Sequence, residues 1–214
     1  MKTIDLTHLI TETMPVYPGC EAPVLSMGTT IADDGFRETL LHLYSHTGTH
    51  MDAPSHLLPN GVSLDDLPVD RFIGPGLVID CSSLRAGERI TMAHLSAYEA
   101  MLPMAEYVLF YTGWDRYWNS AAYLDAFPVP ELDVLQCLIQ YNIKGIGTDA
   151  ISIDPIGDDL PRHHVILEAG LVNVENLTHL HALCDQSFLF CAMPLHYQNA
   201  DGAPVRAVGL ILDQ

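Results

Sequence analysis

The chain has 214 residues, 49% of them apolar, and its 9 basic against 27 acidic side chains leave a formal net charge of -18. An apolar share of that size excludes extensive disorder, and a charge of that sign is the opposite of what phosphate neutralisation requires, which excludes nucleic acid as a partner. The 5 cysteines are odd in number and form no C-x-x-C pair, so a disulfide framework and a cysteine-based zinc site are excluded and reduced thiols in the cytoplasm are expected.

Taken in chain order, residues 1–10 interleave Lys2, Asp5 and His8 with apolar side chains, unlike the apolar core of a secretory signal. No segment approaches the roughly 20 apolar residues of a membrane helix, so no membrane association is expected. Residues 46–56 hold Thr47, Gly48, Thr49 and Pro54, which disfavour helix and predict an extended segment. Apolar runs of strand length follow at 76–80, 107–112, 145–148, 171–174, 188–191 and 208–212, several of them apolar on both faces as buried strands are. Helices are predicted over 91–101, with Thr91 as N-cap, and over 129–141, with Pro130 near the first turn. A shorter helix is predicted from Arg162, stopped by Gly170. The stretch 111–130 follows a buried strand and carries both tryptophans, Trp114 and Trp118. A loop so placed lines a pocket or packs onto the core. Interleaved strand and helix signals without a linker or repeat predict one α/β domain over 1–214, built on a central mixed sheet or barrel-like core.

Chemistry concentrates in the histidines, of which the chain has 11. His46-Thr47-Gly48-Thr49-His50-Met51-Asp52-Ala53-Pro54-Ser55-His56 places four metal-binding or proton-transferring groups at even positions. In an extended segment, the period of two sends His46, His50 and Asp52 to one face, and Gly48 leaves room there for an ion. Imidazoles with one carboxylate suit a transition ion such as zinc or manganese, whereas calcium calls for more oxygen donors. Further along, His163, His164 and Glu175 are candidates for additional ligands, Glu175 sharing a strand face with Leu171 and Asn173. Spacing alone leaves open a single ion completed by water or a two-metal site.

The string from His46 to His56 resembles the signature of the cyclase family of metal-dependent hydrolases, which includes bacterial kynurenine formamidase and isatin hydrolase. The resemblance extends to Met14-Pro15-Val16-Tyr17-Pro18-Gly19, to Thr112-Gly113-Trp114-Asp115, to residues 147–154, and to His163 followed twelve positions later by Glu175 with Asn176-Leu177. It implies a swivelling β/β/α domain, assembled as a homodimer or higher homo-oligomer. It further implies two divalent ions, zinc favoured over manganese: one on His46, His50 and Asp52, the other on Asp52, His163 and Glu175. His56 is then the general acid/base, and Tyr17 and Trp114 the aromatic substrate-binding walls. The activity implied is hydrolysis of a small-molecule amide by metal-activated water, foremost an aryl formamide such as N-formylkynurenine. Alternatives are a cyclic amide or lactone, or a non-catalytic metal-binding scaffold. Where kynurenine formamidases carry Trp and then an acidic residue, this chain has Tyr17 and Cys20.

Overall fold

The computed structural model describes residues 1–212 and builds its centre from short strands. In chain order these are β1 (Lys2–Asp5), β2 (Val24–Thr29), β3 (Glu38–His42), β4 (His50–Asp52), β5 (Ile73–Asp80), β6 (Arg89–Ile90), β7 (Tyr107–Tyr111), β8 (Val129–Pro130), β9 (Gly145–Thr148), β10 (Val172–Glu175), β11 (Phe188–Pro194) and β12 (Gly202–Ile211). The helices are α1 (Ile31–Asp34), α2 (Met92–Ser96), α3 (Leu132–Leu138) and α4 (Pro161–Glu168). The main sheet runs β1-β12-β11-β5-β7-β9-β10-β4, and β4 also pairs with β12. That second pairing closes seven strands into a barrel and leaves β1 as an outer appendage. The ten-residue β12 makes closure possible: Gly202 faces Asp52 of β4, Val205 faces Pro194 of β11, and Ile211 faces Lys2 of β1. Strands β5, β7, β9 and β10 are mutually parallel, and the remaining barrel pairs are antiparallel. The expected α/β class with a mixed, barrel-like core is thus the observed one.

Alternation along each strand sorts its side chains between two cores. Val78, Tyr107, Leu109, Val172, Val174 and Phe190 point into the barrel and pack there with Met51 and Ala203. Ile79, Val108, Phe110 and Ile146 point outward, against Leu95 of α2, Val134, Leu135 and Leu138 of α3, and Ile166 and Leu167 of α4. Each such side chain contributes roughly 1.5–3 kcal/mol on burial. Packing inside the barrel is close enough that a Cβ on Gly147 would lie 2.7 Å from Leu109 Cδ2.

Two predicted helices are shorter than expected. The first ends at Ser96 and continues as turns, Tyr98 N donating to Leu95 O and Met101 N to Tyr98 O, until Pro103 interrupts the backbone donors. Thr91 does cap it, and its backbone amide is taken by His94 Nδ1 at 3.1 Å. In the second, Val129 and Pro130 are a strand paired with Arg89 and Ile90, and helix begins only at Leu132, after the extended Glu131. Outside the barrel, β2 and β3 form an antiparallel hairpin around α1, and every residue of β3 is exposed.

Candidate metal centre

Strands β4 and β10 place the site. Asp52 lies opposite Asn173 and His50 opposite Glu175, whereas Met51 and Val174 between them turn into the barrel. Four polar side chains therefore share the outer face of one strand pair, and all are buried. His163 covers them from α4, which the Asp154 carboxylate anchors by accepting from the amides of Arg162 and His163 at 3.1 and 3.0 Å.

The extended segment expected over 46–56 is realised only at His50–Asp52. Gly48 adopts a left-handed φ of +66°, and a Cβ there would meet Ile10 and Met14, so this glycine serves a turn and not an ion cavity. His46 reaches the site through that turn, with Nδ1 2.7 Å from Asp52 Oδ1. A Cβ on Gly202 would stand 2.4 Å from the His46 ring, so the bare glycine leaves the ring its place. Pro54–His56 is a single 3-10 turn that swings His56 to within 4.0 Å of His46, ring to ring.

Hydrogen bonds fix which nitrogens face the carboxylates. His50 Nδ1 donates to Gly48 O at 2.8 Å, which leaves Nε2 unprotonated in the neutral ring, 3.2 Å from Asp52 Oδ1 and 3.5 Å from Glu175 Oε2. His163 Nδ1 lies 2.7 Å from Asp154 Oδ2, and its Nε2 is 3.2 Å from Glu175 Oε1 and 3.6 Å from Asp52 Oδ2. The Nε2 atoms of two imidazoles thus converge on two buried carboxylates, an arrangement in which a bound cation would take the place of protons and which matches a transition-metal donor set. The donor atoms of His46, His50 and Asp52 lie within 4.8 Å of one another, and so do those of Asp52, His163 and Glu175. Asp52 belongs to both sets. His164, one position along α4, is exposed and turned toward Glu168.

Proton affinities report the same negative potential. Burial opposes charge on His46, but hydrogen bonds to the Asp201 and Asp52 carboxylates outweigh it and raise its pKa to about 10. Burial likewise opposes charge on His163, whose pKa Asp154, Asp52 and Glu175 nevertheless hold well above the usual value. Asp52 is held well below the carboxylate range, burial being overcome by His50, His163 and His46. His56 behaves oppositely: burial lowers it, more than nearby Asp52 raises it, so the ring is neutral at neutral pH.

The site floors a pocket of about 320 Å³. Met14, Pro15, Val16, Tyr17 and Cys20 form one wall, and Ile151, Ser152, Asp158 and Leu160 the other. The Tyr17 hydroxyl accepts from Gly157 N at 3.3 Å and ties the two walls together. Trp114 does not reach the pocket. It is buried among Tyr123, Phe127 and Val129, its Nε1 donating to Tyr123 O at 3.0 Å, because its backbone amide is drawn inward by Asp149 Oδ2 at 3.1 Å. Trp118 stacks on His8 at 3.9 Å. The stretch carrying both tryptophans is therefore packing.

Three contributors were given no role from the sequence: Asp154; Asn173, whose Nδ2 donates to Asp52 Oδ2 and Glu175 Oε1 at 2.9 and 2.8 Å; and Asp201, 3.0 Å from His46 Nε2. Asn173 could have been found from its place two residues before Glu175 on one strand face. Asp154 lies nine residues before His163 and Asp201 in a distant turn, where spacing carries no message.

A family model described as "Putative cyclase" matches residues 4–155. A protein named kynurenine formamidase from Salinibacter ruber is 34% identical, with 97% of each chain covered. Its namesake from Bacillus thuringiensis subsp. konkukian is 32% identical over 97% of this chain and 98% of its own. The crystal structure of an isatin hydrolase bound to the product analogue thioisatinate superposes with a TM-score of 0.90 at 25% identity, covering 99% of this chain and 93% of that one.

Proposed function

Because the chain belongs to the cyclase family of metal-dependent hydrolases, which cleave carbon–nitrogen bonds other than peptide bonds, we propose that it is an arylformamidase that hydrolyses N-formylkynurenine or a close aryl formamide. The observation that carries this reading is the pair of buried carboxylates, Asp52 and Glu175, facing the Nε2 atoms of His50 and His163 at the floor of a largely apolar pocket. Two divalent ions fit the donors: one on His46, His50 and Asp52, the other on Asp52, His163 and Glu175. Zinc is favoured over manganese by a ligand set with three imidazoles. When bound, such ions lower the pKa of a coordinated water to near 7 and polarise a carbonyl oxygen.

The chain's own groups do the rest. His56, neutral and facing the ligand cluster, takes a proton from the attacking water and returns it to the leaving nitrogen. Asn173 holds the two carboxylates apart by donating to both, and Asp154 keeps the proton of His163 on Nδ1. The wall from Met14 to Tyr17 supplies apolar and aromatic surface for a substrate ring. Asp158 places a carboxylate in the opposite wall, where it pairs with Arg162 Nη1 at 3.6 Å.

Residues 1–214 act as one catalytic domain. The exposed hairpin β2–β3 shows Met27, Ile31, Leu40 and Leu41 to solvent, surface suited to a homodimer contact. The cysteines are free, in keeping with a reducing cytoplasm, and among the described residues no helix is long and apolar enough to cross a membrane. Elemental mass spectrometry, followed by assays on N-formylkynurenine and isatin, tests the proposal. About two metals per chain with formamide turnover is the expected result, and isatin turnover without formamide turnover would overturn the substrate.

A further inference from the structure

We propose that Asp201 is a positioning residue that orients the ligand His46 from behind and the proton-transfer group His56 from the side. The inference rests on the roles given above to those two histidines.

Asp201 is presented by a turn with several independent anchors. Asn199 N and Ala200 N both donate to the Asp65 carboxylate at 3.0 Å, Leu64 N donates to Ala200 O at 2.9 Å, and Ala53 N donates to Asp201 O at 2.9 Å. The Tyr197 hydroxyl donates to Gly202 O and lies 3.3 Å from Asp201 Oδ1. Two segments, 53–65 and 197–202, are thereby locked together, and the 53–65 segment is the one that begins with the turn carrying His56. The other carboxylate oxygen, Oδ2, accepts from Ser45 Oγ at 3.3 Å, lies 3.0 Å from His46 Nε2, and is 3.9 Å from His56 Nδ1.

Asp201 Oδ2 at Nε2 and Asp52 Oδ1 at Nδ1 hold the His46 ring from its two sides at 3.0 and 2.7 Å, and when a cation takes the place of the proton at Nδ1 the Asp201 contact keeps the remaining proton on Nε2. Gly202, the next residue, admits the ring to this position because it has no Cβ. His56 is just beyond direct hydrogen-bond distance of the same oxygen, within reach of a small rotation or one bridging water. One side chain thus governs the tautomer of a ligand and the setting of the base, two demands that Asp52 alone cannot meet because it stands on the opposite side of His46.

The experiment uses the full chain and compares Asp201→Ala with Asp201→Asn, since the amide keeps an acceptor oxygen for His46 Nε2. Zinc affinity is read by chelator competition, and kcat and KM are read separately. Asp201→Ala is expected to weaken zinc binding about 10- to 100-fold and to lower kcat with little change in KM, and Asp201→Asn to restore zinc affinity to within about threefold. Thermal melting of the metal-free proteins checks folding, and cooperative unfolding of both variants is expected because the turn is anchored by the Asp65 carboxylate, backbone groups and the Tyr197–Gly202 bond, none of which needs the Asp201 side chain. Wild-type zinc affinity and kcat in Asp201→Ala would overturn the positioning role while leaving the proposed function intact. A third metal per chain that disappears with Asp201 would make it a ligand and overturn the role as well. A wild-type protein that binds no zinc would overturn the inference together with the reading on which it rests.

Discussion

The two flanks of the barrel use the outer faces of their strands in opposite ways. On β7 and β9, Val108, Phe110 and Ile146 face outward and are covered by apolar side chains of α2, α3 and α4. On β4 and β10, the outward residues His50, Asp52, Asn173 and Glu175 are just as buried, yet every one is polar. Each strand keeps an apolar inner face, Tyr107 and Leu109 on one flank and Met51 and Val174 on the other. Stability and chemistry are thus divided by face: the interior and the helical flank hold the barrel together, and the polar flank is free to carry a charge cluster that a cation can balance.

Breaking the polar flank should give the largest effect. Asp52→Ala removes the carboxylate common to both donor sets, and loss of turnover by about 1,000-fold or more is expected, equivalent to several kcal/mol of electrostatic stabilisation. Metal content and kcat of the folded variant check it. The neighbouring substitution Met51→Ala breaks the other face: a destabilisation of about 2–5 kcal/mol is expected, measured by urea unfolding, with metal per folded chain unchanged. An equal loss of metal in that variant would erase the division between faces. His56→Ala sharpens the comparison within the polar flank. The ring shares a possible ligand set only with His46 and Asp201 and belongs to neither set that holds Asp52, so turnover should fall about 100-fold or more while zinc stays bound.

A smaller effect concerns the edge of the site. His8 stacks on Trp118, its backbone amide donates to Thr49 Oγ1 at 2.9 Å, and burial lowers its pKa to about 4, against the pull of Asp115. The folded state therefore holds His8 neutral where the unfolded chain, with a pKa near 6.5, takes up a proton. Its contribution to stability is complete above about pH 6.5 and is lost as pH falls toward 4. His8→Phe keeps the stack without the titration, so melting temperatures should fall less between pH 7 and 5 than in the unsubstituted protein.

The sequence carried the strands whose side chains are apolar on both faces, because burial between the barrel interior and the helices leaves an unbroken apolar run, as at Tyr107–Tyr111. It did not carry closure of the barrel, which depends on three-residue β4 meeting the far end of β12 across about 150 residues of chain. The hairpin β2–β3 went unread because its exposed faces impose no alternation. In the site, His50 and Asp52 were legible as a period-two pair, and His163 with Glu175 through resemblance. The supporting groups were not. Asp154 and Asp201 act through hydrogen bonds to histidines that are near only after folding, and a lone Asp in a turn looks like any solvated side chain. Trp114 shows the converse: a conspicuous aromatic beside the site belongs to the core because Asp149 holds the backbone on both sides of Gly113, accepting from Thr112 and Trp114 amides at 3.1 Å.

The central claim, two cations sharing Asp52, is tested most directly by counting zinc per chain in the wild type and in Asp52→Asn, prepared side by side and loaded with the same excess of zinc. Close to two are expected in the wild type and at most one in the variant. Two tightly held ions in Asp52→Asn, or none in the wild type, would contradict it.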